Sequence, residues 1–293
     1  MQIDSLKVFC DLAETESFTK SAHINGVTQS AVSQQISALE RHFKSLLIER
    51  SKKKFRLTRD GELLYDYSKR IVQTFDDLHF KIDELKGVIS GSIRVATIYS
   101  VGLHGMPPCL KKYIGTHPSV NVHVEYLRFN QVYEDVVSNV VDLGVVAYPH
   151  RDHRLTITPL RKEPMVLIVH PSHPNAADQK VRVQSLDGQK FIGYEQDIPT
   201  RRGIDKVLQE KRVEVNYVME LDNVETIKRA VETQLGVAIV PKNAVAQEVE
   251  KGTLSALEIE DADFSRPLAA IHRKSKLLTP PLKQFIQALK NDL

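Results

Sequence analysis

One stretch limits the fold of this chain more than any other. Residues 60–90 contain no proline, and Leu64, Tyr67, Ile71, Phe75, Leu78, Ile82, Leu85 and Ile89 recur there at spacings of 3, 4, 4, 3, 4, 3 and 4. That is close to a heptad seam on a long helix. Charged residues such as Arg70, Asp76, Asp77, Lys81 and Glu84 fill its other faces. A seam of this length needs a partner. Either the helix docks along the body of the protein, or it pairs with its copy in a second subunit, and we read the second. The "GVISGS" run at 87–92 ends the pattern, so a domain boundary falls near residue 90. A chain of 293 residues is expected to hold two or more domains in any case.

Ahead of the seam, three short helical patterns follow one another. Leu6, Val8, Phe9, Leu12 and Ala13 mark a stripe over residues 4–13. Ser17 is placed to cap a second helix, "FTKSAHIN", which stops at Asn25-Gly26. Thr28 then caps a third. In it Val32, Ile36, Leu39 and Phe43 share the buried face at spacings of 4, 3 and 4. Ser30, Gln34, Ser37 and Arg41 point the opposite way, with Gln29 and Ser33 on the first turn and its flank. A leading helix and two more joined by a tight turn is the helix-turn-helix layout, whose last helix offers its N-terminal residues to base edges in the major groove. Gln pairs with adenine through two hydrogen bonds, and Ser donates or accepts. The plainer alternative is a solvated polar face in a small bundle.

Charge distribution bears on that choice. Residues 50–59, "RSKKKFRLTR", hold six bases and no acid, whereas residues 1–49 hold four bases and six acids. With a formal net charge of only +3, this local patch is what nucleic-acid binding must rest on. "LLIER" and "KFRLT" are able to pair as a hairpin with Lys52, Lys53 and Lys54 at its tip. A basic hairpin beside a recognition helix is a wing that grips phosphates, and phosphate contacts supply register and salt-sensitive affinity.

These residues carry a resemblance. F-T-K-S-A, T-Q-S-A-V-S-Q-Q-I, L-E, L-I-E-R and L-T-x-x-G stand in order over roughly the first 65 residues, and the segment resembles the winged helix-turn-helix of LysR-type transcriptional regulators. The likeness implies DNA contacts from Thr28, Gln29, Ser30, Ser33 and Gln34, and backbone contacts from Arg50, Lys52, Lys53, Lys54 and Arg56. Ile48 stands where many members have Phe, one apolar residue for another.

After Gly91 the texture changes to short apolar runs, "SIRVATI", "VNVHVEYL", "VVDLGVVAY", "MVLIVH", "KFIGYE", "VNYVMEL", "GVAIVP" and "LAAIHR", separated by helical stretches over 102–116, 130–140, 201–211, 224–235 and 279–291. Such alternation predicts an α/β fold with mostly parallel sheets and ligands held beyond the carboxyl ends of strands. Asp222 with Glu225 fits a capping box, so the helix after "LDN" caps itself. This region also resembles the LysR-type effector domain, best in "DNVETIKRAVETQLGVAIVP". The likeness implies an N-terminal all-α winged helix-turn-helix (1–58), a long dimerising linker helix (59–90) and a C-terminal, two-lobed α/β effector domain (91–293) like a periplasmic binding protein. Lobe I would comprise 92–160 and 267–293, and lobe II 161–266. It further implies an effector in the cleft, lined by Tyr99, Ser100, Arg128, Phe129, Tyr148, Thr200 and Asn223. Neutral donors, helix N-termini and the arginines 128, 201 and 202 point to a small anionic metabolite.

Other classes find less support. There is no P-loop, G-x-S-x-G, H-E-x-x-H or G-x-G-x-x-G, so no enzyme is expected, and no cofactor. Cys10 and Cys109 lie far apart in no metal-type spacing, and the scattered histidines 104, 150, 153, 170 and 173 are read as surface residues, so no metal site is expected. The N-terminus lacks the apolar run of a secretory signal, and no stretch approaches the about 20 residues that span a bilayer. A solute-binding protein outside the cell fits poorly with this start, and a cytoplasmic location is expected. The expected protein is a ligand-responsive regulator on double-stranded DNA. The family likeness adds a homodimer, further pairing into a homotetramer that bends the DNA, and RNA polymerase as a further partner.

Overall fold

A computed structural model of the protein describes residues 2–49, 55–85, 89–276 and 278–293. The N-terminal part opens with α1 (Ile3–Thr15), α2 (Phe18–Ile24) and α3 (Gln29–Phe43). The Ser17 hydroxyl accepts the Lys20 N–H at the start of α2, and Thr28 accepts the Ala31 N–H at the start of α3. Between them Gly26 takes φ +63°, the left-handed region that a tight turn here requires. Leu6, Phe9, Leu12, Ala22, Val32, Ile36 and Leu39 form one core with Leu47.

Phe43 does not join that core. It is exposed and packs edge-on against His42 at the end of α3, where the chain turns away through Lys44 at φ +54°. Glu40 takes the buried place one turn earlier, because its carboxylate accepts the Leu47 N–H at 3.0 Å and so ties the wing to α3. The wing's limbs pair through an antiparallel Ile48–Leu57 bridge and the Glu49 N–H to Arg56 carbonyl bond of 2.9 Å.

Helix α4 (Arg59–Leu85) spans 27 residues, about 40 Å. Thr58 caps it by accepting the Gly61 N–H. Gly61 is needed there: a Cβ would lie 2.1 Å from the Leu47 carbonyl oxygen. One face of α4 rests on the N-terminal core through Leu64, Tyr65 and Val72. The adjoining face leaves Tyr67, Ile71, Phe75, Leu78 and Ile82, with Leu63 at its flank, between 37% and 60% exposed. Leu64 heads the same seam but is packed against the N-terminal core, so the open part of the stripe begins at Tyr67.

The remainder holds two sheets. The first collects β1 (Gly91–Ile98), β2 (Val120–Leu127), β3 (Leu143–Ala147), β4 (Leu155–Glu163) and β11 (Arg266–Arg273) in the order β2-β1-β3-β11-β4. Around it pack α5 (Tyr99–His104), α6 (Met106–Thr116), α7 (Phe129–Val137) and α11 (Pro280–Asp292). The second collects β5 (Met165–Val169), β6 (Lys180–Val181), β9 (Ala238–Pro241) and β10 (Ser255–Ile259) in the order β6-β10-β5-β9. The parallel pair β7 (Lys190–Tyr194) and β8 (Asn216–Leu221) joins it through a Phe191–Val237 bridge. Helices α8 (Pro199–Glu210), α9 (Val224–Glu232) and α10 (Ala246–Glu250) complete this lobe.

The sheets are mixed rather than mostly parallel. Helix-linked strands β1, β2 and β3 run parallel, but β11 lies antiparallel to both β3 and β4. The reason is that the chain leaves the first lobe after β4 and returns along β11. Strand β4 escaped the sequence pattern because Pro159 interrupts it, which an edge strand tolerates.

Candidate DNA-binding face and ligand cleft

On α3, Gln29, Ser30, Ser33 and Gln34 are exposed, as is Thr28 before it. Two of these have structural duties as well: the Thr28 hydroxyl caps the helix and lies 2.9 Å from the Ser30 hydroxyl. Gln34, Ser33, Ser37, Arg41 and Lys44 border one shallow concavity beside the wing. Arg56 is exposed on the wing's return limb. Arg50, Lys52, Lys53 and Lys54 lie outside the described residues.

The second site is a cavity of about 200 Å³ between the two sheets. Its walls come from four strand-to-helix junctions: Tyr99 and Ser100 after β1, Arg128 and Phe129 after β2, Thr200 after β7, and Asn223 after β8. Helix α7 begins at this cavity without a side-chain cap, so its first N–H groups stay available. Helix α8 also lacks a side-chain cap, but its first residue, Pro199, has no N–H, and the Arg201 N–H donates to the Ile198 carbonyl at 3.0 Å. Helix α9 is different. Asn223, rather than Asp222, caps it by accepting the Glu225 and Thr226 N–H groups.

Not every residue expected in the cleft lines it. Tyr148, at φ +50°, sits against Gly203 of α8, where a Cβ would meet its hydroxyl at 2.5 Å. It is thus an interlobe packing residue. Arg201 is buried and engaged within its own lobe: it reaches Asp205 at 2.7 Å, Glu220 at 2.6 Å and the Tyr194 carbonyl at 2.9 Å, and stacks on Tyr217. Arg128 crosses from the first lobe to Glu195 and toward Asp222 at 3.9 Å.

Two features were not expected from the sequence. Arg266 and Glu163, each 1% exposed, form a buried pair at 2.6 Å, and Arg266 also donates to Ser100 at 3.0 Å. Tyr194 closes the inner wall beside them. Tyr194 ends β7, so the rule that ligands sit beyond strand carboxyl ends was able to find it. Arg266 had no such signal. His104 is also more than a surface residue: it bridges the lobes to Glu225 at 2.7 Å, and Glu225 in turn pairs with buried Lys228 at 3.0 Å.

Residues 3–62 match the family model described as a bacterial regulatory helix-turn-helix protein of the lysR family, and residues 86–293 match the LysR substrate binding domain. The chain belongs to the LysR family. Among curated relatives of this LysR-type protein, the transcriptional activator CmpR of a Synechocystis species is 29% identical, over 98% of this chain and 94% of its own. A probable RuBisCO transcriptional regulator of Cyanophora paradoxa is 30% identical, over 98% and 90%. In fold, a full-length OxyR variant of Pseudomonas aeruginosa matches at TM-score 0.70 with 20% identity, covering 100% of this chain and 94% of that one. The regulatory domain of Synechocystis CcmR, solved in complex with 2-PG, matches at TM-score 0.62 with 23% identity, covering 69% and 97%. Like these relatives, the LysR-type chain is a DNA-binding transcriptional regulator with a helix-turn-helix domain and an effector-binding domain.

Its two functional regions also touch. Glu14 of α1 is held by Lys69 at 2.8 Å and the Tyr65 hydroxyl at 2.7 Å on α4, and it faces Arg273, the last residue of β11, at 3.1 Å. Among the described residues no group of three or more His, Cys, Asp and Glu side chains is placed to hold a metal, and no helix is long and apolar enough to cross a membrane.

Proposed function

We propose that this protein reads an operator through α3 and the wing and changes its arrangement when a small anion enters the cleft. The DNA contacts are assigned to Thr28, Gln29, Ser30, Ser33 and Gln34 at the bases, and to Arg50, Lys52, Lys53, Lys54 and Arg56 at the phosphates. The effector contacts are assigned to Tyr99, Ser100, Arg128, Phe129, Thr200 and Asn223. The observation that carries the anion is the meeting of the uncapped start of α7 with Arg128, Arg266 and the hydroxyls of Ser100 and Thr200 at one cavity. CcmR with its bound 2-PG supports the same class of ligand. No catalytic role is assigned, and the expected compartment is the cytoplasm.

The open stripe on α4 supports a homodimer joined along that helix, which two operator half-sites call for. Exposed Leu103, Ile114 and Tyr126 in the first lobe and Val218 and Met219 in the second support further pairing into a tetramer. A change in the angle between its dimers would alter the access of RNA polymerase. Gel shifts of the full chain on its own upstream DNA, with and without small organic acids, test the reading. A sequence-selective shift whose pattern an acid changes supports it; no selective shift at physiological salt rejects it.

A further inference from the structure

The cavity has two unlike ends. Its inner wall is made of buried donors: Ser100, Tyr194, Thr200 and Arg266. Arg266 uses Nε and Nη2 on Glu163 and Ser100, which leaves Nη1. The Tyr194 hydroxyl is buried and has no hydrogen-bond partner among the described residues, and burial pushes its phenol well above the ordinary tyrosine range, so it keeps its proton. A buried hydroxyl left unsatisfied is costly, and it awaits an acceptor.

The outer rim has the opposite character. Glu134, Asp197 and Asp222 are exposed there. Among the described residues the one rim cation, Arg128, is already paired with Glu195 and lies near Asp222. A second negative charge on a ligand would face these carboxylates with no unpaired cation of the described rim to offset them. A hydroxyl or an ammonium group would find acceptors.

We infer that the cleft selects a compact monocarboxylate, its carboxylate inward on Tyr194 and Arg266 and its outer end neutral or cationic, with Tyr194, Glu134 and Asp197 setting that choice. The inference rests on the anionic-cleft reading above and narrows it to hydroxy acids and amino acids over diacids.

The test is titration calorimetry and thermal shift on the full chain with two matched pairs: glycerate against tartronate, and serine against aspartate. The monocarboxylate of a pair is expected to bind about tenfold tighter than its dicarboxylate. Tyr194→Phe is expected to weaken that monocarboxylate about tenfold, while the Tm without ligand holds or rises, since the substitution removes an unsatisfied group. Glu134→Gln with Asp197→Asn is expected to bring the dicarboxylate up to its monocarboxylate partner. Tighter binding of the diacids by the unaltered protein, or an unchanged Kd in Tyr194→Phe, overturns the inference and leaves the anionic cleft standing. If none of the four acids binds, both fall.

Discussion

The exposed face of α3 and the cleft between the lobes recognise by opposite constructions. Along α3 the side chains proposed to read DNA come from one short run, and Gln34 and Ser33 project from a helix whose other face is locked in the core. In the cleft the side chains arrive from junctions more than a hundred residues apart; Arg128–Glu195 and His104–Glu225 hold the lobes to each other, and Arg266–Glu163 ties β11 to β4 within the first sheet. The lesson is that a face resting on a rigid helix separates binding from stability, whereas a cleft built from ion pairs couples them.

The sharpest way to break that contrast is the Arg266–Glu163 pair. Arg266→Ala should cost about 3–5 kcal/mol in urea unfolding, because Glu163 is left charged and buried. The double substitution Arg266→Met with Glu163→Leu should recover most of the loss. Gln34→Ala, by contrast, should change stability by less than about 0.5 kcal/mol. Equal losses at Gln34 and Arg266 would erase the distinction.

Next in size is α4. Ile71 and Leu78 each gain about 1.5–3 kcal/mol if a partner helix buries them fully. Ile71→Glu with Leu78→Glu should therefore turn the proposed homodimer into monomers in sedimentation velocity, with the far-UV spectrum kept. A dimer that survives both charges would place the subunit contact elsewhere.

These regions also differ in how openly the sequence announced them. The α3 face was legible because Val32, Ile36 and Leu39 define a buried side, and periodicity then assigns the other side. Even there, Phe43 was misplaced and Glu40 missed, since a helix's last turn overhangs its core and a hydrogen bond from Leu47 outweighs the polarity of a carboxyl group. The α/β class was legible from alternating strands and helices, and the family likeness implied that 267–293 return to the first lobe, but the antiparallel course of β11 beside β3 was not legible, because strand direction depends on where the chain crosses between lobes. Ser100 and Thr200 were found by their place after strands. Tyr194, Glu163 and Arg266 were not, because their meeting depends on tertiary contacts between positions as far apart as 100 and 266.

A smaller effect separates the two kinds of DNA contact. Gln34→Ala should lose about 1–3 kcal/mol of discrimination at one base pair while keeping the salt slope. Lys53→Ala should weaken all DNA alike and flatten the slope by about one unit. Anisotropy titrations on operator and scrambled duplexes at several salt concentrations distinguish them. Loss of the same base preference in both would dissolve the division between reading and gripping.

The smallest expected effect lies where the two regions meet, at Glu14. Burial raises its carboxyl pKa, but bonds from Lys69 and Tyr65, with Lys69 and Arg273 nearby, outweigh it and hold the carboxyl below the ordinary 4.5. A folded value below the unfolded one stabilises the protein above the unfolded value, and that contribution is lost as pH falls through the folded one. Glu14→Gln should thus cost about 1–2 kcal/mol at pH 7, and its deficit against the unaltered protein should shrink as pH drops below 4.5. Urea unfolding at neutral and acid pH reads this directly. A deficit that stays constant with pH would mean that the side chain packs between α1 and α4 without its charge mattering, and that the DNA-binding unit is joined to β11 by shape alone.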